Sequence, residues 1–170
     1  MIALIVATGP NGEIGYNGHL PWEGDHLQDK RYFKNKIKGN VIVGTNNSVI
    51  YGEDFDSCLV SRKSQYNWEK MGPKEILFSV QQQFPNKDIF VVGGVDWYHS
   101  ASPYVQKVYL SRIKEYTLPN LAEHNFKTSS VDLDIITKNK EMRDNFDFDD
   151  WEIQVWENNV RYNYETIWTF

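Results

Sequence analysis

Asp29 is the residue of this chain whose placement most needs a chemical explanation. It lies in the stretch HLPWEGDHLQDKRYFK, residues 19–34, four residues before Phe33 and eight before Ile37. At about 100° per residue, a helix over 26–38 brings Phe33 and Ile37 together with Tyr32 and Asp29 beside them, and turns Arg31, Lys34 and Asn35 to the far side. A carboxylate at the edge of an apolar stripe is costly unless it is hydrogen-bonded or paired. Depth also raises its pKa toward the range in which a side chain handles protons near neutrality. A structural ion pair, or a carboxylate reaching water at the rim, would account for the same placement.

Four other stretches carry residue types suited to a site. In GEIGYNGHLPW the turn formers Gly12, Gly15, Asn17 and Gly18 precede the stiff run Leu20, Pro21, Trp22. That pattern describes a mobile loop hinged on an aromatic anchor, able to close over a pocket beside the acid and exclude water. In IFVVGGVDWY and VIVGTNNSVI, glycines stand where a strand gives way to a helix. There a ligand can approach the backbone closely, and free N–H groups favour phosphate; Thr45, Asn46, Asn47 or Ser48 can cap the second helix. In LVSRK, Ser61, Arg62 and Lys63 follow another strand, where a planar guanidinium can hold a phosphate monoester.

Positioning these groups falls to short apolar runs at 2–7, 41–44, 58–61, 89–94 and 107–113, apolar on both faces and therefore read as buried strands. Helical segments separate several of them. Asp25, with Gln28 three residues on, signals the start of the helix over 26–38, which Gly39 closes. Pro73 opens a second helix in which Ile76, Val80 and Phe84 recur every four residues, and a third follows Gly94 as far as Pro103. The tail DWEIQVWENNVRYNYETIWTF is aromatic and β-branched and predicts a hairpin centred on ENN. The expected architecture is α/β: a mixed, mostly parallel central sheet with flanking helices and a C-terminal antiparallel hairpin.

A chain of 170 residues, 41% hydrophobic and 15% aromatic, suits one domain over 1–170. The net charge of -5 argues against nucleic acid as a partner. The run MIALIVA is too short to span a bilayer and lacks a basic leader, so the expectation is a cytoplasmic protein with no membrane partner. Cys58, the single cysteine, suits an inert core thiol. His19, His26, His99 and His124 show no ligand spacing, and DNFDFDDWE lacks a calcium loop's central glycine, so no metal is expected and the acidic run reads as a solvated turn.

With these pieces in order, the chain resembles the dihydrofolate reductase family. The resemblance rests on IALIVA, IGYNGHLPW, the span from Asp29 to Lys34, VIVG, LVSR, VVGGVDWY and VYLSRI, in family order over nearly the whole chain. It implies a single-domain dihydrofolate reductase-like fold and NADPH-dependent reduction of 7,8-dihydrofolate to 5,6,7,8-tetrahydrofolate, by hydride transfer to C6 with protonation at N5, in a monomer. Asp29 would grip the pterin and promote the protonation, with Asp25 the competing assignment. Ser111 would hydrogen-bond the carboxylate, Trp22 would hold an ordered water, and Leu20 would close the loop. Phe33 and Ile50 would sandwich the substrate, with Ile5, Val6, Ala7, Val92 and Tyr98 lining the pterin and nicotinamide site. NADPH would also meet Ala7, Ile14, Gly44, Thr45, Asn46, Ser61, Arg62, Val95, Asp96, Trp97 and Tyr98. Gly93 and Gly94 would carry the family's cis peptide bond.

The chain departs from the family pattern at three places. After Gly44, Thr45 and Asn46 stand where a basic residue and a threonine are usual. The family's arginine for the folate glutamate tail falls near Phe55, among acids, and Lys34 or Arg31 would have to substitute. Lys30 follows the acid where an apolar residue is usual, and would reach the tail instead. Two other readings follow: a reductase of the same fold acting on another heterocycle, such as the riboflavin-pathway pyrimidine, and a non-catalytic reductase-like module.

Overall fold

Ile2–Thr8 form strand β1, buried along almost its whole length. A strand covered on both faces must satisfy its backbone groups along both edges, and β1 does so by pairing in parallel with β5, Ile89–Val91, and β6, Lys107–Ile113. The structure, a computed structural model, describes residues 1–16, 27–114 and 128–159. In chain order the remaining elements are β2 (Glu13–Tyr16), α1 (Leu27–Ile37), β3 (Val41–Thr45), β4 (Asp56–Val60), α2 (Pro73–Gln83), α3 (Val95–Ala101), β7 (Thr128–Ser130), α4 (Leu133–Ile136), β8 (Lys140–Asp147) and β9 (Trp151–Asn158). Short 3-10 turns follow β3 at Asn46–Ser48 and α3 at Ser102–Tyr104.

The main sheet has seven strands in the order β4-β3-β5-β1-β6-β9-β8. The first five run parallel, and β9 and β8 add antiparallel pairing at one edge. Alternation along β1 assigns the two faces. Ile2, Leu4 and Val6 join Ile76, Leu77 and Val80 of α2 and Trp97 and Tyr98 of α3 in one apolar cluster. Ala3, Ile5 and Ala7 turn the other way, with Ile42, Phe90, Val92, Tyr109 and Ile153, against Ile37, Tyr32 and Phe33 of α1.

The three helices expected after His26, Pro73 and Gly94 are present over described residues. The hairpin required a correction. It closes between Asp147 and Trp151, not at ENN: β9 pairs with β8 on one side and β6 on the other, and residues 160–170 lie outside those described. The acidic run read as a solvated turn therefore supplies the end of β8, the turn and the start of β9. β8 escaped the sequence reading because it is an edge strand exposed along most of its length, and its charged side chains erase the apolar alternation. The small antiparallel pair of β2 with β7 and the short α4, capped by Asp132 accepting from the N–H groups of Asp134 and Ile135, were also unforeseen. No helix among the described residues is long and apolar enough to cross a membrane.

Candidate active site

The first turn of α1 sets Asp29 down on the face of the sheet that α1 covers, and the residue is buried to 6% exposure. A carboxylate in a first helical turn also meets the favourable end of the helix dipole. Its charge is felt by two phenols. Burial, then Tyr109, then Asp29 hold the Tyr32 hydroxyl well above the ordinary tyrosine pKa; for Tyr98 the causes are burial and then Asp29. Tyr98, on α3, donates from its hydroxyl to the carbonyl of Ile5 at 2.8 Å.

Ser111, 3% exposed, lies on the same face as Asp29. The assignment follows from alternation in β6, where Tyr109 and Ile113 pack toward α1 while Val108 and Leu110 pack away. In register, Ser111 stands beside Ala7 of β1 and Ile153 of β9. Ile5, Ala7, Val92, Phe33, Asp29 and Ser111 thus share one side of the sheet. Val6 does not: it turns into the opposite cluster, so only its backbone borders this side. Ile50 is 44% exposed, and Lys30, Arg31 and Lys34 are exposed along α1. Phe55, where a tail-binding arginine was expected, is half-buried against the α1-side cluster and follows the exposed Glu53 and Asp54.

The two glycine junctions prove to be one structure. Thr45 N–H donates to the Gly93 carbonyl at 2.8 Å, and Gly94 N–H donates to Thr45 Oγ1 at 2.7 Å. Val92 N–H and the Trp97 indole both donate to the carbonyl of Val43. The Gly93–Gly94 peptide bond is cis. A Cβ on Gly44 would meet Val92 Cγ2 at 2.7 Å and the Gly93 carbonyl oxygen at 2.9 Å. Gly93, at φ +109°, would drive a Cβ to 3.1 Å from both Ser48 Oγ and the Tyr98 ring. Bare backbone is therefore required at this seam, which leads into α3 at Val95 and the exposed Asp96. Sequence reasoning missed that Thr45 laces the seam, because its partner lies 49 residues away.

Past the end of β4, Ser61 N–H donates to the Tyr66 carbonyl and Asn67 Nδ2 to the Arg62 carbonyl, fixing a tight loop. Arg62 itself extends from that loop with its side chain 75% exposed and Nε 2.8 Å from Glu69 Oε1. Asn46 is exposed and Ile14 packs at the edge of the α2-side cluster. Cys58 is buried beside Tyr66, and burial raises its thiol pKa, which suits an inert thiol. Leu20, Trp22 and the competing acid Asp25 lie outside the described residues. The glycine seam and the exposed guanidinium suit a dinucleotide: one offers close backbone approach, the other a cation for phosphate.

Comparison with known proteins identifies the family. A family model described as dihydrofolate reductase matches residues 1–153. A dihydrofolate reductase of Staphylococcus haemolyticus is 30% identical over 120 residues, covering 66% of this chain and 69% of that protein. A dihydromethanopterin reductase of Methylorubrum extorquens is 27% identical over 116 residues, covering 66% and 82%. Among solved structures, dihydrofolate reductase from Enterococcus faecalis, complexed with NADP(H) and RAB-propyl, covers 94% of this chain and 96% of its own at a TM-score of 0.67. At 19% identity that likeness speaks for the fold. The chain belongs to the dihydrofolate reductase family of NADPH-dependent oxidoreductases.

Proposed function

We propose that the protein reduces 7,8-dihydrofolate to 5,6,7,8-tetrahydrofolate, and that Asp29 is the group that reads the pterin. The observation that carries this reading is the burial of Asp29 on the same sheet face as Ser111, the face that Ile5, Ala7, Phe33 and Val92 also occupy. A carboxylate in such surroundings offers two acceptor oxygens to a flat ring bearing an N–H and an amino group. Ser111 supplies a hydroxyl able to hold the carboxylate in place, and the pairing favours proton delivery at N5. Phe33 and Ile50 flank the ring, Gly93, Gly94 and Thr45 form the floor beneath the cofactor, and Arg62 takes the ribose phosphate. When bound, NADPH supplies the hydride that reaches C6.

The test is the loss of NADPH absorbance with and without dihydrofolate. Substrate-dependent oxidation supports the reading, and none at saturating NADPH refutes it.

A second reading, reduction of a related heterocycle, draws on Phe55. An aromatic side chain following Glu53 and Asp54 offers no cation to a tail carboxylate, and one relative is a dihydromethanopterin reductase. Lys30 and Lys34, exposed one turn apart on α1, are the cations that would hold a folate tail under the first reading. Turnover of dihydropterins with and without the glutamate tail, at fixed NADPH, separates the two. A non-catalytic module would bind NADPH no better than a surface with no phosphate site.

A further inference from the structure

Lys140 opens β8 at the end of the sheet remote from Ser111. The register fixes this: Lys107 pairs with Glu157, and Lys140 with Asn158, whereas Ser111 pairs with Ile153. Its amine turns inward and donates to the carbonyl of Ser102 at 3.1 Å. There it lines a cavity of about 220 Å³ whose other walls are Ser102, Pro103, Ile135, Lys138 and Asn139. Asn139 takes a left-handed turn, φ 61°, which leads the chain from α4 into β8. The lining contains no carboxylate, and among the described residues Lys140 forms no ion pair.

We propose that Lys140 is a site of N-acylation by small acyl phosphates. The cavity joins a fixed amine, apolar walls at Pro103 and Ile135 that suit a short acyl chain, and a second cation, Lys138, that suits an anionic leaving group. The uncharged amine attacks the acyl carbon. The C–O bond to phosphorus-bound oxygen breaks, inorganic phosphate departs with the electron pair, and the amine's proton passes to solvent. No oxidant or reductant is involved.

Burial also enlarges the reactive, uncharged fraction of the amine. Burial lowers its pKa from 10.5 to about 8, so a far larger share is unprotonated near neutrality than for an ordinary lysine. The ionisable groups on the surrounding elements are Asp96 and His99 of α3, Tyr104 of the 3-10 turn, Asp132, Asp134 and Lys138 about α4, and Glu141, Arg143, Asp144, Asp147, Glu152 and Glu157 of the hairpin. None of these is a cause of the shift, which comes from burial alone.

The test is incubation of the full chain with acetyl phosphate from pH 6.5 to 9.5, roughly spanning the lysine's lowered pKa, followed by peptide mass spectrometry of every lysine. Near neutrality Lys140 is expected to acquire the acetyl group on the order of tenfold faster than exposed Lys30 and Lys63; its larger neutral fraction outweighs its lower basicity. Because those lysines are in the same molecule, the result does not depend on a variant's folding. Lys138→Ala should slow labelling by acetyl phosphate and leave labelling by the neutral donor N-acetylimidazole unchanged. Lys140 labelling no faster than the exposed lysines, or a Lys138→Ala effect equal for both donors, would overturn the proposal.

Discussion

The phenol of Tyr98 reaches from α3 across the sheet face to donate to the Ile5 carbonyl at 2.8 Å, while its ring lies 3.1 Å from where a Cβ on Gly93 would stand. One side chain thus ties β1 to the glycine seam. Tyr98→Phe keeps the ring but leaves a buried carbonyl without its donor, a loss of about 1 kcal/mol. Urea denaturation should show a lowered midpoint with an unchanged slope. An unchanged midpoint would mean that the hydroxyl contributes nothing to the join.

Asp29→Asn removes the charge without changing the shape of the first turn of α1. The fold should survive, and turnover of dihydrofolate at neutral pH should fall by roughly 10²- to 10⁴-fold, the range expected when a positioned proton-handling group is lost. As pH is lowered the substrate becomes protonated in solution, so the variant should recover part of its rate. The measurement is kcat/KM against pH for both proteins. Parallel profiles would assign the proton to another group.

The position of Asp29 was legible because helical spacing sets it beside Phe33 and Ile37, and the interior of the parallel sheet because β1, β3, β5 and β6 are apolar on both faces. The opening of α2 was equally legible from Pro73 and the recurrence of Ile76 and Val80. What escaped were features set by distant partners. The pairing of Glu13 with Ser130 has no local signature, nor does the hydroxyl of Thr45 accepting from Gly94. Val6, expected to line the site with Ile5 and Ala7, is sent by strand alternation to the opposite cluster. Lys140, at the start of a polar edge strand, gave no sign that its amine would be drawn under the turn at Ser102.

Arg62 stands exposed past β4, engaged with Glu69 in a pair that solvent weakens. If it serves the ribose phosphate of NADPH, Arg62→Ala should weaken NADPH binding by about tenfold, corresponding to about 1.4 kcal/mol, and leave NADH binding nearly unchanged. Glu69→Gln should tighten NADPH binding modestly by releasing the guanidinium. Fluorescence titration with both cofactors distinguishes the cases. Equal weakening for NADPH and NADH would remove Arg62 from the phosphate site.

The depressed pKa of Lys140 has a consequence for stability that does not depend on any acyl donor. The folded protein releases this proton at about pH 8, whereas the unfolded chain holds it up to its ordinary 10.5. Between those values the unfolded state binds more protons, so the contribution of Lys140 to stability rises with pH across the window and is least favourable below it. Tyr66, raised to about 12 by burial, and Tyr32 and Tyr98, raised by burial as well, act in the opposite sense above about pH 10, where unfolded tyrosine ionises first. The informative quantity is therefore the difference in unfolding free energy between the parent and Lys140→Met from about pH 8 to 10. Loss of the bond to Ser102 gives a constant offset between the two, while the titration gives a slope. The parent should gain on the variant as pH rises, and a difference independent of pH would show that the amine is not desolvated in the folded protein.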